Sequence, residues 1–370
     1  MIVSPTQMVI GCIILKDVIG KTNRPLIPKN TVVNEKHITI LQKFLVHEVE
    51  VASRLSYGAP FVPKPISQKD HVQENDRNHK KSHTKTFADY YLDAVQGYKQ
   101  LFVKWQRGLS IEIKEVRKLL TPLLDKIDDI GLSIYQIHTF ASARDYFYHH
   151  QVAVSLLSAF LAKKMSLNEW KQVGLAGLLA DCGMAKLQPS LINKDGALTK
   201  NEYKEIQKHP TFSYKMVDEI PSLTTAIKLG ILQHHERLDG TGYPMGVKEE
   251  KIHSYANIIA VCDMYHAMTS ERLYRKKCSP FKAIEEMLQD QFGKYDYEMI
   301  RLFVDTLTNF TKGTMIRLSN NSVGQIVFVD DHYPTRPIVR LKDSGELIAL
   351  KNDTSIYIEE IQMNDETINI

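Results

Sequence analysis

The chain has 370 residues, 43% hydrophobic and 24% charged, which is ordinary for a soluble globular protein of two or three domains. Its formal net charge of +4 is too small to indicate a nucleic-acid polymer as the main partner. No apolar run approaches the roughly 20 residues of a membrane span, and the N-terminus lacks the layout of a signal peptide, so we expect a cytoplasmic protein.

Residues 1–57 are predicted to form a small β-rich module. The apolar, β-branched runs at 8–15 and 46–51 are typical of strands, and Asn34 is the expected N-cap of a helix between them. The module holds no cluster of catalytic side chains, so we expect a scaffold or a dimerisation surface, which leaves a homodimer open. Three prolines and a polar, histidine-containing run at 58–85 predict a linker.

Residues 86–133 predict two helices that lead into a larger helical domain, with Ser110 as the N-cap of the second helix. From 134 to 310 the apolar residues recur with helical spacing. Within that stretch Thr199 begins a capping box, and the helix that it opens is predicted to run through His209. The domain is therefore predicted to be an all-α bundle.

Residues 311–370 change to the short, alternating runs of β-strands, separated by turn sequences at 319–321 and 343–345. They predict four or five strands in a small β module without a catalytic cluster. The whole chain is therefore predicted to be mainly α, a helical bundle with small β-rich modules at both ends.

A set of histidines and aspartates in the helical domain indicates a metal site. His234 and His235 are adjacent at the end of an apolar helical run, before a glycine-rich loop. Asp181 and Asp263 each follow a strongly apolar run, where an unpaired carboxylate would be costly and a cation would offset that cost. Mixed carboxylate and imidazole ligands favour Fe or Mn, and imidazole also binds Zn or Ni. A carboxylate can bridge two such ions.

The order of motifs from 134 to 310 resembles that of HD-GYP domains, a family of HD-superfamily metallophosphohydrolases that act on cyclic di-GMP. The matching segments are 146–152, 178–183, 208–209, 234–244, 263–270 and 272–275.

The resemblance implies a phosphodiesterase that hydrolyses cyclic di-GMP or a related phosphoester by in-line attack of metal hydroxide on phosphorus. It implies one or two divalent ions and a small nucleotide second messenger as partner. Asp181 would bridge the ions, Arg272 and Arg275 would bind the substrate phosphates, and Tyr243 would contact substrate from the loop that names the family. The implied metal ligands are His150, Asp181, His209, His234, His235 and Asp263.

Several positions depart from the family pattern. Ala180 stands where the family has a metal-binding histidine, and Met184 stands where it often has lysine. His266 replaces a frequent aspartate; it lies on the same helical face as Asp263 and either supplies the lost imidazole or lines the pocket. Tyr146 replaces the glutamate that some members use for a third metal. Two functions therefore stay open: a phosphodiesterase, or a catalytically impaired nucleotide-binding receptor or scaffold.

Overall fold

A computed structural model gives the architecture. It describes residues 1–19, 25–27, 31–44, 46, 48–53, 55–56, 60–63, 85–135, 137, 145–192, 194, 196–270, 278–290, 293–308 and 312–362. Contacts divide the chain into two compact units, Met1–His83 and Thr84–Ile370. Most of the predicted linker at 58–85 lies outside the described residues. The boundaries of the five segments expected from the sequence stay a prediction.

Among its described residues, the first unit has four short strands and one α-helix. The strands are β1 (Ile2–Val3), β2 (Val18–Ile19), β3 (Pro25–Ile27) and β4 (Val49–Glu50), and the helix is α1 (Glu35–Lys43). Strand β1 pairs antiparallel with β4, and β2 pairs antiparallel with β3. Asn34 caps α1 as predicted, because its Oδ1 accepts the backbone N–H of His37 at 3.0 Å. The predicted strand at 8–15 is wrong: a turn at 10–11 interrupts the run, which forms only isolated bridges at Ile13 and Ile14.

The second unit begins with the helices of the predicted bundle. They are α2 (Phe87–Gln106), α3 (Ile113–Leu124), α4 (Tyr146–Lys164), α5 (Trp170–Leu179), α6 (Pro189–Ile192), α7 (Lys200–Ile206), α8 (His209–Asp218), α9 (Thr225–Gln233), α10 (Ser254–Thr269), α11 (Pro280–Asp290) and α12 (Tyr297–Leu307). Helix α4 is buried along most of its length, which fits its apolar residues on nearly every face and places it at the centre of the bundle.

Two predictions about helix ends are wrong. Ser110 does not cap α3; the N-cap is Glu112, which makes no side-chain cap bond. The helix opened by the Thr199 capping box ends at Ile206 rather than passing through His209. A separate helix, α8, begins at His209 with Pro210 in its first turn, where the missing proline N–H is no loss.

The chain ends in a five-stranded antiparallel sheet. Its strands are β5 (Met315–Leu318), β6 (Val323–Asp330), β7 (Tyr333–Leu341), β8 (Leu347–Ala349) and β9 (Ile358–Ile361), in the order β8-β7-β6-β5-β9. The sheet is attached to α11, where the Glu285 carboxylate accepts hydrogen bonds from Arg336 Nε and Nη2, both at 2.6 Å.

The predicted fold class, a mainly helical bundle with small β-rich modules at both ends, is confirmed. Within the described ranges, no helix combines the length and the apolar character needed to cross a membrane.

Candidate metal centre

Helix ends bring four of the predicted metal ligands together. Asp181 lies two residues after the end of α5, His209 is the first residue of α8, and His234 and His235 follow the end of α9. One ligand atom of each of these four residues lies within 4.8 Å of the others. The side chains of His209 and His234 are almost fully buried, so bulk water does not separate the ligand atoms.

The closest three ligand atoms form a triangle of the size that a divalent ion needs. Asp181 Oδ1 lies 2.8 Å from His209 Nε2 and 3.2 Å from His234 Nε2, and the two nitrogens are 3.3 Å apart. Ligands bound at about 2.1 Å and at right angles to each other are separated by about 3 Å. The donor set and its spacing therefore fit a transition-metal ion.

Hydrogen bonds to the backbone fix which nitrogen of each imidazole faces the carboxylate. Nδ1 of His209 donates to Ile206 O at 2.6 Å, and Nδ1 of His234 donates to Ile231 O at 2.7 Å. Both carbonyls belong to the last turn of a helix, where they lack an intrahelical partner, so each bond also caps a helix. With the proton on Nδ1, each Nε2 presents a lone pair to Asp181 Oδ1.

Three lone-pair-bearing atoms thus converge without a hydrogen between them, and only a cation stabilises such a contact. That cation is either a proton taken up by an imidazole or a metal ion. A metal bound by histidines whose other nitrogen donates to the backbone is a common arrangement in proteins.

The charges of the centre suit a metal ion. Burial would raise the pKa of the Asp181 carboxyl, but attraction by positive charge on His209 and His234, and the hydrogen bonds that these imidazoles donate when the cation is a proton, outweigh burial and hold this pKa well below its usual range. Burial, followed by repulsion from His234 and His209, lowers the pKa of His235 well below its usual range. An ionised carboxylate beside a neutral imidazole is the protonation state in which both bind metal.

The other two predicted ligands form a neighbouring pair. His150 Nε2 lies 2.8 Å from Asp263 Oδ1, and Asp263 Oδ2 lies 3.9 Å from His235 Nδ1. On its other side, His150 Nδ1 lies 2.9 Å from His266 Nδ1 and 3.1 Å from the Tyr146 hydroxyl. His266 therefore contacts a predicted ligand, while its own ligand role stays a prediction.

One residue that contacts the centre was missed by sequence reasoning. Gln151 Nε2 donates to Asp181 Oδ2 at 2.6 Å, across 30 residues of sequence. The sequence does not indicate that this glutamine, which follows the predicted ligand His150, contacts the centre. The contact arises only because α4 packs against the turn after α5. Ala180, the residue that departs from the family pattern, is buried and has no donor atom in its side chain.

Gly183 allows the turn that carries Asp181 to lie against α8. A Cβ added at Gly183 would lie 2.3 Å from both His209 O and Ser213 N, and these backbone atoms have little freedom to move. The Gly183 N–H donates to Ser213 Oγ at 2.8 Å, which holds the turn in place. The short distance between Asp181 and His209 follows from this close approach.

The loop after the two histidines folds back over His235. Tyr243 N–H donates to His235 O at 3.1 Å, and the Tyr243 ring lies over the His235 ring with centroids 4.7 Å apart. Glu236 holds the loop in this position, because its buried carboxylate accepts the backbone N–H groups of Met245 at 2.7 Å and Val247 at 3.1 Å. The glutamate of this sequence motif is therefore a structural clamp.

Two predicted substrate ligands, Arg272 and Arg275, lie outside the described residues. Another arginine, Arg237, lies beside the centre: its guanidinium stacks on the Tyr295 ring with the central carbon 4.4 Å from the ring centroid. Arg237 Nη1 also donates to Glu236 O at 2.7 Å, so this arginine supports the loop.

Comparison with known proteins agrees with this geometry. Residues 136–299 match the family model of the HD domain. A curated cyclic di-GMP phosphodiesterase of Pseudomonas aeruginosa is 32% identical over 212 residues, which cover 55% of this chain and 51% of the relative. The cyclic di-GMP phosphodiesterase PdeB of Borreliella burgdorferi is 31% identical over 212 residues, covering 56% of each protein. The chain therefore spans about half the length of the curated relatives it matches.

Among solved structures, an HDG"Y"P protein from Bdellovibrio bacteriovorus aligns with a TM-score of 0.52 at 14% identity. The alignment covers 84% of this chain and 99% of that protein. At this identity the likeness shows a shared fold.

Proposed function

Residues 136–299 of this chain form an HD domain of the HD-GYP family, and from that premise we propose that the chain is a metal-dependent phosphodiesterase. Its proposed substrate is cyclic di-GMP or a related cyclic dinucleotide, by analogy with the named activity of the two curated relatives. The observation that carries the proposal is the convergence of Asp181 Oδ1 with two imidazole lone pairs in a buried pocket.

The proposed roles follow from position and charge. Asp181, His209, His234 and His235 would hold a divalent ion, with Fe or Mn favoured by the mixed oxygen and nitrogen donors and with Zn or Ni also compatible. When bound, such an ion supplies an activated water as nucleophile and stabilises negative charge at phosphorus.

Tyr243 is the proposed substrate contact from the loop. Burial raises the pKa of its hydroxyl above the usual range, so the group stays protonated and can donate a hydrogen bond. Arg272 and Arg275 are the proposed phosphate ligands, because guanidinium groups form charge-assisted hydrogen bonds with phosphate oxygens.

The test is turnover of cyclic di-GMP by the purified full chain, loaded with Mn²⁺ or Fe²⁺ and followed by chromatography of the products. Formation of the linear dinucleotide or GMP, lost in His235→Ala and retained in His332→Ala, supports the proposal. His332 is a suitable control because its side chain is 90% exposed and lies in the turn between β6 and β7 of the C-terminal sheet.

A receptor or scaffold that binds the nucleotide without cleaving it is the second candidate. Ala180 favours this candidate, since its side chain has no ligand atom where the resemblance implies an imidazole. Saturable binding of cyclic di-GMP with no product under Mn²⁺ or Fe²⁺ would favour the receptor. A homodimer and a cytoplasmic location stay predictions, and light scattering of the purified chain tests the first of them.

A further inference from the structure

The two carboxylate oxygens of Asp181 have different surroundings. Oδ1 faces the lone pairs of two imidazoles, at 2.8 and 3.2 Å. Oδ2 instead accepts an N–H from the Gln151 side-chain amide at 2.6 Å. Gln151 is 1% exposed, so water does not compete for this contact. One oxygen of the carboxylate therefore needs a cation, and the other already has a donor.

The orientation of the Gln151 amide follows from its contacts. If the amide turned over, its Oε1 would lie against Asp181 Oδ2, and two oxygens at that distance repel unless a cation lies between them. With Nε2 towards Asp181 the contact is an ordinary charge-assisted hydrogen bond. Among the described residues, Gln151 Oε1 then accepts no hydrogen bond, a cost that the bond to the carboxylate offsets.

The contact between His150 and Asp263 Oδ1 also needs no cation between its two atoms. The Tyr146 hydroxyl can donate to His150 Nδ1 at 3.1 Å, which leaves the proton of His150 on Nε2. That proton is then donated to Asp263 Oδ1 at 2.8 Å. His266 Nδ1, at 2.9 Å from His150 Nδ1, is a second possible donor to the same nitrogen. The two acceptors between these residues, His150 Nδ1 and Asp263 Oδ1, therefore each face a donor, unlike the atoms around Asp181 Oδ1, while Asp263 Oδ2 lies 3.9 Å from its nearest ion-pair partner, His235 Nδ1.

We propose that this centre holds one metal ion, bound on the Oδ1 side of Asp181, and that the Gln151 amide occupies the position in which a second ion would bridge through Oδ2. Gln151 is then a positioning residue: it fixes the carboxylate plane so that Oδ1 faces His209 and His234. The inference rests on the proposed metal centre and adds its stoichiometry and the residue that sets it.

Ala180 and Gln151 act as a pair in this proposal. Ala180 has no ligand atom where the resemblance implies an imidazole, and the Gln151 amide is already hydrogen-bonded to Asp181 Oδ2, the oxygen that would bridge to a second ion. Restoring the imidazole alone leaves Oδ2 hydrogen-bonded to the amide. Two changes are therefore needed to create a second ion site.

The first experiment measures Mn²⁺ per chain in the purified full-length protein, by plasma mass spectrometry after dialysis and by calorimetric titration. We expect one ion in the wild type and one in His150→Ala, whereas His234→Ala should bind its ion at least about 100-fold more weakly in the titration and lose it on dialysis. A mononuclear Mn²⁺ spectrum in electron paramagnetic resonance is the matching spectroscopic result. Two ions in the wild type, or the loss of one of two ions in His150→Ala, would overturn the proposal and would mean that Gln151 turns its Oε1 to a second ion.

The second experiment uses the pair of positions. Ala180→His alone is expected to keep one Mn²⁺ per chain, whereas Ala180→His with Gln151→Ser is expected to bind two. Gln151→Ala alone should still bind one ion, about 10-fold to 100-fold more weakly, because the carboxylate loses the partner that orients it. Gln172→Ala is the matched control, since the Gln172 side chain bonds to Thr224 on the helix surface. A second ion in Ala180→His alone, or an unchanged affinity in Gln151→Ala, would contradict the proposed pairing.

Failure of this inference and failure of the proposed function give different results. Two bound ions together with turnover of cyclic di-GMP would refute the inference about stoichiometry and would still support the proposed phosphodiesterase function. No bound Mn²⁺ in the wild type would remove both. Because the wild-type and His150→Ala measurements decide the stoichiometry by themselves, the inference stays testable if the Ala180→His variants do not fold.

Discussion

The convergence of lone pairs on Asp181 Oδ1 makes a quantitative prediction about metal-linked stability. A ligand that binds only the folded protein stabilises it by RT ln(1 + [L]/Kd), which is about 2.7 kcal/mol at a free Mn²⁺ concentration of 100 times Kd. For a large domain each kcal/mol raises Tm by about 2–4 °C, so we expect Mn²⁺ to raise the wild-type Tm by about 5–10 °C.

The perturbation is His234→Ala, which removes one corner of the triangle around Asp181 Oδ1. Loss of a metal ligand should weaken Mn²⁺ binding by at least about 100-fold, because losing even a residue that only hydrogen-bonds to a ligand weakens metal affinity by about 10-fold to 100-fold. At the same Mn²⁺ concentration the ion then stabilises the variant by about 0.4 kcal/mol, which is a Tm shift of about 1 °C.

Differential scanning fluorimetry with and without Mn²⁺, after removal of metal with a chelator, measures both shifts. The relevant quantity is the Mn²⁺-induced shift within each variant, because the cavity left by a buried imidazole lowers the Tm of His234→Ala under all conditions. His332→Ala should retain the full wild-type shift. If His234→Ala kept that shift, the ion would bind elsewhere and the reasoning from convergent lone pairs would be refuted.

Three further predictions address the loop, the neighbouring pair and the C-terminal sheet. Gly242→Ala should destabilise the protein by about 1–3 kcal/mol in chemical denaturation, because its Cβ would lie 2.5 Å or less from three backbone atoms, among them His235 O; an unchanged midpoint would contradict the close approach. In metal-free protein, burial would raise the pKa of Asp263, but the hydrogen bond from His150 and its positive charge outweigh burial and lower this pKa. The ionised Asp263 therefore stabilises the fold at pH values above its unfolded pKa of about 4. The Tm advantage of wild type over Asp263→Asn should therefore shrink as the pH falls from 5 towards 2, and a growing advantage would contradict that sign. Glu285→Ala should lower the free energy of unfolding by about 3–5 kcal/mol, measured with urea, because the partly buried guanidinium of Arg336 then has no carboxylate partner. A loss below about 1 kcal/mol would show that solvent replaces the carboxylate.

Most elements with a local signal were predicted well, although the cap predicted at Ser110 was wrong. The alternation of apolar and polar residues predicted four strands of the C-terminal sheet and left a fifth open, which the structure contains as β9, and the capping box at Thr199 predicted the start of α7. Asn34 gave the start of α1 for the same reason, since a cap depends on residues three positions apart. These features depend on neighbours in sequence and not on the rest of the fold.

Elements that depend on distant contacts were predicted less well. The run at 8–15 has the composition of a strand, but a turn at 10–11 prevents continuous pairing. The bond from Gln151 to Asp181 joins α4 to the turn after α5, and no spacing rule relates the two residues. By contrast, Tyr146 and His150 are four residues apart on one helix, so their contact at 3.1 Å could have been foreseen from the helical repeat.

The two halves of the site differ in how their residues are held, which bears on how each half can change. Asp181, His209 and His234 lie at helix ends, where loops aim the side chains and free backbone carbonyls fix the imidazole tautomers. His150 and Asp263 lie inside α4 and α10, where the backbone cannot re-aim a side chain without disturbing helix packing. A substitution near the second half therefore changes the partners of these residues and not their positions.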